Sequence, residues 1–317
     1  RPRAAALRSL KARPGTGGAA SGQDGRDTMM MKFLVGLGVL VIVGLGALAV
    51  LSWQGERRWA AATQALRAQL DATQQPAAVT RYDPARELPG LPAPVQRYFR
   101  AALTEGQPRV AAVELAHPGR VNERESTDQW KPFVSTQRAV TQRPGFVWDG
   151  AVMMLPGLPV RVHDAYVAGE GRLHPAVLGW WSLAELRDRD EVARGELMRY
   201  LAEAAWYPTA LLPSQGVRWE AVDDRAARAT LQDGALAVTL TFRFGADDLI
   251  ASVRAEARGR TVGGRSVPTP WEGRWSQPER RDGMVVPRVG EVAWLLPEGA
   301  RPYWRGQLAR LDYVWRR

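Results

Sequence analysis

Residues Phe33 to Trp53 read FLVGLGVLVIVGLGALAVLSW, 21 residues without a charge. At about 1.5 Å of rise per residue a helix of this length reaches roughly 32 Å, close to the ~30 Å hydrocarbon core of a bilayer. Soluble helices rarely run so far without a polar face, so the segment is expected to be a single-pass transmembrane helix with the lipid bilayer as its partner. Trp53 and Trp59 are placed to act as interfacial anchors.

Basic flanks stay cytoplasmic. Arg1, Arg3, Arg8, Lys11, Arg13, Arg26 and Lys32 precede the segment against Asp24 and Asp27, while Arg57 and Arg58, offset in part by Glu56, follow it. The expectation is a cytoplasmic N-terminus and an extracytoplasmic body at a bacterial inner membrane. Residues 1–28, rich in Arg, Gly and Ala without apolar periodicity, read as a disordered basic leader, with Met29, Met30 and Met31 as alternative starts. A cleaved signal peptide is the rival reading, because Met31-Lys32, the apolar run and Ala47-Leu48-Ala49 follow the order of its three regions. Retention is preferred because the run continues through Val50 and Leu51.

The chain has no cysteine, which removes disulfides, thiol catalysis, cysteine metal sites and a lipoprotein anchor. An exported body must therefore be held by its core. Seven basic and two acidic residues up to Trp53 supply half of the net charge of +10, and the body shows no basic patch interleaved with aromatics, so nucleic acid is not an expected partner.

Glu56 to Gln75 has helix-forming composition, with Trp59, Ala62, Leu66 and Leu70 three and four residues apart. It is expected to stand off the membrane as a stalk, followed by a linker holding Pro76, Pro84, Pro89 and Pro92, so that residues 56–87 join the anchor to a body over 88–317. A helix is expected at Pro94 to Leu103. From Pro108 the period changes to two, broken at His-Pro-Gly, Arg-Pro-Gly, Leu-Pro-Gly, Gly-Glu-Gly and Val-Gly-Gly, which predicts antiparallel strands. Leu236, Val238, Leu240, Phe242 and Phe244 alternate with Ala237, Thr239, Thr241 and Arg243, a strand with one buried face. Phe146 to Met154 is apolar on both faces apart from Asp149, so both need covering, by packed helices or by a bound apolar ligand. One more helix is expected from Glu191 to Tyr207, with Asp190 as its cap and Pro208 as its stop. Tyr303 to Trp315 reads as the last strand. The fold class expected is α+β: a large, curved, half-barrel-like antiparallel sheet with a few packed helices.

No G-x-S-x-G, H-E-x-x-H, P-loop or dinucleotide fingerprint occurs. The histidines are His117, placed in a turn by His-Pro-Gly, His163 and His174; their spacing does not ask for a metal, and no cofactor is expected. Alternation places Asp164 on the apolar face of Val160, Val162 and Tyr166, with His163 opposite. Glu196, Arg199, Tyr200, Glu203 and Tyr207 share one helix face. Two readings follow: a buried polar network locking helix to sheet, or a pocket in which Asp149, His163, Asp164, Glu196 and Glu203 include a general acid and base. Trp180-Trp181, beside Leu178-Gly179, is the candidate exposed apolar contact, for a membrane or a protein partner.

The runs LPAPVQRYFRAAL (91–103), GFVWDG (145–150), HDAYVAGEG (163–171), GELMRYLAEAAWYPTALLP (195–213) and GEVAWLLPEGARPYWRG (290–306) resemble a bacterial membrane-anchored family described only as a domain of unknown function. The resemblance implies no activity and carries over no functional residue. The strand pattern also looks like the half-barrel carriers of lipids and lipoproteins of the bacterial envelope. By that analogy an apolar or amphipathic ligand, such as a lipid, is the leading expectation for the concave face. An envelope hydrolase and a protein-interaction module are the alternatives, and no feature sets an oligomeric state.

Overall fold

The computed structural model describes residues 21–75, 81–122 and 128–316, with side chains from Thr28 onward. The expected leader lies largely outside the described residues, as does the start of the expected linker. The chain forms two compact units, Arg1–Trp53 and Gln54–Arg317. In the first, the described residues belong to helix α1 (Ser21–Ala72). Its side chains are exposed from Thr28 to Leu51, Leu40 at 70% and Ile42 at 71%. A helix so long and apolar is compatible with a single-pass membrane anchor or a signal sequence.

In the second unit α1 is no free stalk. Gly55, Trp59, Thr63, Leu66 and Leu70 form a buried stripe along it. Leu66 and Leu70 pack with Ala112, Val140, Val147 and Ala165 of the sheet. The expected stripe had Ala62 in place of Thr63, but Ala62 is exposed and the polar Thr63 faces the sheet. Fully burying each leucine contributes roughly 1.5–3 kcal/mol, which a helix standing in water would forgo. The expected linker also folds. Helix α2 (Pro84–Glu87) and helix α3 (Ala93–Ala102) follow, and Tyr82, Glu87 and Leu88 are buried. As expected, α3 opens with Pro94 in its first turn and buries Val95, Tyr98, Phe99 and Ala102.

The strands of the first limb are β1 (Val110–Asn122), β2 (Trp130–Val140), β3 (Gly145–Leu155), β4 (Leu158–Val167), β5 (Glu170–Val177), β6 (Trp181–Ser182) and β7 (Leu186–Asp188). Helix α4 (Glu191–Glu203) and three short 3-10 turns follow. The second limb comprises β8 (Arg218–Asp223), β9 (Ala226–Asp233), β10 (Leu236–Phe244), β11 (Ile250–Val262), β12 (Arg265–Arg281), β13 (Met284–Leu296), β14 (Gly299–Gln307) and β15 (Arg310–Trp315). All join one sheet in the order β6-β5-β4-β3-β2-β1-β14-β13-β12-β11-β10-β9-β8, with β15 beside β1 and β7 beside β5. Every pairing is antiparallel, which hairpin connections allow. Helix α4 touches β3, β4, β5 and β7 on one limb and β10 and β11 on the other. A helix of 13 residues can meet both only if the sheet curls around it.

His117-Pro118-Gly119 is not a turn but the middle of β1. On its far side β1 pairs with β15 up to Ala116 and with β14 from Gly119. Pro118 sits where the partner changes, and the missing N–H costs no ladder bond. The expected last strand is likewise two, β14 and β15, broken at Leu308-Ala309. Both faces of β3 are covered. The inner residues Phe146, Trp148 and Val152 join the main core with α4, and Val147 faces the α1 stripe.

Candidate functional site

Helix α4 lies in the concavity of the sheet and carries the charged side chains that face it. Asp190 makes no side-chain cap. Instead Asp188 Oδ1 accepts from the amides of Asp190, Val192 and Ala193 at 2.9–3.2 Å, so the cap comes from the preceding strand β7. The start of the helix is pressed onto β5 at Gly171, where a Cβ would lie 2.4 Å from the Ala193 amide. The helix ends one turn early, at Glu203, and passes into a 3-10 turn over Ala204–Trp206.

Arg199 is the hub of the concave face. It donates to Asp164 Oδ2 at 2.5 Å, to Glu203 Oε1 at 2.7 Å and to Gln137 Oε1 at 3.1 Å, and Gln137 returns a bond to Glu203 Oε2 at 2.7 Å. Its guanidinium also lies over the rings of Phe146 (4.8 Å) and Trp148 (5.4 Å). Burial opposes the charge of Arg199, but Glu203 and Asp164 outweigh it and raise its pKa. Glu196, one turn back, behaves differently. Burial first, and then the Asp164 charge, push its carboxyl well above the usual carboxylate range. Neither Glu196 Oε2 nor Asp164 Oδ1 meets an amide, guanidinium or hydroxyl donor. Arg258 of β11 stands 3.8 Å from Glu196 Oε1 and stacks over Trp271 at 5.0 Å.

Beside this network is a hollow of about 140 Å³ lined by Trp148, Trp206, Trp271, Trp275, Tyr303 and Trp304 together with Asp164, Arg199, Glu203 and Arg258. A second hollow, of about 260 Å³, shares Trp275 with it and is otherwise walled mainly by apolar groups including Tyr98, Leu249, Ile250 and Val286. Three of the tryptophans come from one short pattern, Trp-x-Gly: Trp148-Asp149-Gly150, Trp271-Glu272-Gly273 and Trp304-Arg305-Gly306. Residues i and i+2 of a strand share a face, so the indole folds back over the glycine. A Cβ at Gly150 would meet the Trp148 ring at 2.0 Å and one at Gly306 the Trp304 ring at 2.3 Å. Gly290 and Gly306 are paired neighbours across β13 and β14, and Gly306 pairs with Gly119 of β1, so a row of glycines crosses the sheet. Aromatic rings lie flat in this furrow. The Trp-x-Gly pattern is visible in the sequence, but alternation names only a shared face and not what that face lines.

The other candidate residues separate. Asp149 and His163 lie on the opposite, outer face and bind α1: Trp59 Nε1 donates to Asp149 Oδ1 at 2.8 Å, and Thr63 Oγ1 is 3.1 Å from Asp149 Oδ2 and 2.7 Å from His163 Nε2. The sheet stands between them and Asp164, so Asp149, His163, Asp164, Glu196 and Glu203 do not converge as an acid–base group. Burial lowers the His163 pKa to about 3, helped by His174, Arg172, Arg67 and Arg161. Tyr200 and Tyr207 are buried, Tyr207 donating to the Tyr200 carbonyl at 3.1 Å, and burial raises both phenols. His117 is buried against Trp206 at 4.6 Å, its pKa lowered to about 3 by burial and by Arg199. Trp181 is 54% exposed on the edge strand β6, and Trp180 is half-buried under Arg58. Among the described residues no three His, Asp or Glu side chains are grouped to hold a metal ion.

Fold and site define a curled antiparallel-sheet protein with a helix laid across its concave face and a tryptophan-walled hollow beside that helix. The chain belongs to the Family of unknown function (DUF6920), whose profile matches residues 89–313. No curated protein matches the sequence. Among solved structures, a LolA superfamily protein from Nitrosomonas europaea is 12% identical, with 68% of this chain and 91% of that chain covered and a TM-score of 0.28. A beta-barrel-like protein of domain of unknown function DUF1849 from Brucella abortus is 11% identical, with 65% and 99% covered and a TM-score of 0.25. Superpositions this loose carry no argument about what the present chain binds.

Proposed function

We propose that this protein is an anchored protein of the bacterial envelope that binds an apolar or amphipathic ligand in the hollow beside α4. The observation that carries the reading is the pair of indole N–H groups at Trp148 and Trp275. Both residues line the hollow, both are more than nine-tenths buried, and neither N–H has a partner within the protein. Unpaired buried donors cost about 1–3 kcal/mol each and are uncommon in native folds, so they favour a bound acceptor. Phe33–Trp53 would hold the chain at the inner membrane with the basic flank in the cytoplasm. Gly55, two residues beyond that segment, packs against the Leu178 carbonyl. We assign the exposed Trp181 and Leu183 of the body to contact with a lipid surface.

The test is native mass spectrometry of the full chain, extracted gently in lipid nanodiscs, against Ala202→Phe, which fills the hollow. A small adduct on the native chain that is missing from a folded Ala202→Phe variant supports the proposal. Identical spectra, both free of adduct after incubation with envelope lipid extract, overturn it.

A further inference from the structure

Every polar group lining the hollow has a defined hydrogen-bond direction. Among the acceptors, Glu203 is taken by Arg199 and Gln137 and Asp164 Oδ2 by Arg199, while Asp164 Oδ1 has no donor. Two indoles are also in use, Trp271 donating to the Tyr303 hydroxyl at 2.9 Å and Trp206 to the Pro287 carbonyl at 3.0 Å. Two indole donors lining the hollow, Trp148 Nε1 and Trp275 Nε1, have no partner, and Arg258 beside them is held by an ion pair of 3.8 Å to Glu196 and by its stacking on Trp271.

Arg258 is the informative member. Its side chain is only 12% exposed, and its ion-pair partner Glu196 is 3.8 Å away, beyond hydrogen-bond reach. Burial disfavours the charged form of that carboxyl, so the counter-charge of Arg258 is weaker and more distant than that of Arg199, which holds Asp164 at 2.5 Å and Glu203 at 2.7 Å. A buried cation without its counter-ion is costly, and a bound anion removes the cost. The planar guanidinium fork suits carboxylate and phosphate oxygens, and the two indoles add donors an alcohol or an amine could not use as fully. The remaining walls are aromatic, and Trp275 leads to the second, mainly apolar hollow.

We infer that the ligand is an amphipathic anion, with its carboxylate or phosphate oxygens on Arg258, Trp148 and Trp275 and its apolar tail running past Trp275 between Tyr98, Ile250 and Val286. The inference rests on the reading of the hollow as a ligand site and names the chemistry of its occupant. A hydroxyl head could accept from at most two of the three donors and would bring Arg258 no counter-charge, and a cationic head would accept from none.

The experiment compares probes of one chain length, decanoate, decyl phosphate, decanol and decylammonium, on the full chain in phosphatidylcholine nanodiscs. Ligand-observed NMR is corrected for lipid partition by subtracting the Ala202→Phe signal. Decanoate or decyl phosphate should bind at least tenfold tighter than decanol and decylammonium, and which anion binds tighter identifies the head. Arg258→Gln, which keeps a donor but removes the charge, should weaken the anion at least tenfold and leave decanol unchanged. Trp148→Phe should weaken it about five- to tenfold, the loss of one hydrogen bond. Decanol or decylammonium binding as tightly as the anions, or anion binding indifferent to Arg258→Gln in a folded variant, overturns the inference while leaving the hollow as a ligand site. No probe binding above the Ala202→Phe background overturns the site reading itself.

Discussion

The indole of Trp59 lies stacked on the imidazole of His163, ring centroids 3.8 Å apart and planes 12° from parallel. The first residue belongs to the helix that continues from the apolar segment and the second to β4, the third strand from one edge of the sheet order. Their contact, with Thr63 and Asp149 beside it, clamps that helix to the outer face.

Thr63 has one hydroxyl proton and three polar neighbours: the Trp59 carbonyl, Asp149 Oδ2 and His163 Nε2. A single proton serves one oxygen, so the His163 contact is met by Nε2–H donating to Oγ1. Thr63→Val keeps the shape but strips Asp149 and His163 of that partner. It should destabilise the protein by about 1–3 kcal/mol in urea unfolding and speed proteolysis between residues 56 and 75, with Ser at this position restoring both.

Stability should fall as the solution is acidified from about pH 6.5 towards 3. His117 and His163 titrate in the unfolded chain near 6.5 but, folded, not until about 3. Over that interval unfolding takes up protons, so acid favours the unfolded chain. His163 faces Asp149, His174, Arg172, Arg67 and Arg161, and His117 faces Arg199. Replacing His163 with Gln should flatten the dependence of Tm on pH across this window, and a Gln variant with the full wild-type slope would show that His117 alone is responsible.

Arg199 and Glu196, the buried charged side chains of α4 one turn apart, should respond unequally to replacement. Arg199→Gln abandons Asp164 and Glu203 together and should cost about 3–5 kcal/mol. Glu196→Gln replaces a carboxyl whose charged form burial disfavours and should cost less than about 1 kcal/mol near neutral pH. The signs with pH follow. The raised Glu196 pKa lends stability that is full below about 4.5 and declines as pH rises through its folded value, so Glu196→Gln should gain on the wild type in alkali. Chemical denaturation at neutral and alkaline pH measures both.

Much of the polar arrangement could be read from periodicity. Alternation put Asp164 on the inner face and His163 on the outer, and helical spacing put Glu196, Arg199 and Glu203 together, because these relations lie within single elements. What failed was pairing between elements. Asp149 and His163 were grouped with the helix of Arg199 because alternation names faces without naming what covers them, and the cover proved to be the supposed stalk. Propensity names Asp190 as the cap because it reads position along the chain, whereas Asp188, which accepts from the first amides instead, is aimed by β7.

The apolar run Phe33–Trp53 and the period-two body were determined by sequence alone, since side-chain solvation and strand alternation are local. The α+β class followed from them, whereas the family resemblance rested on motif runs such as GELMRYLAEAAWYPTALLP. Tertiary structure alone decided that the helix after Trp53 clamps onto the sheet, that Pro118 falls where β1 exchanges partners, and that Trp148, Trp271 and Trp304 from distant strands share one hollow with Arg258. Those outcomes depend on how far a sheet of antiparallel strands curls, which is set by the sum of all its pairings and by a helix that must touch both limbs, and no single segment encodes it.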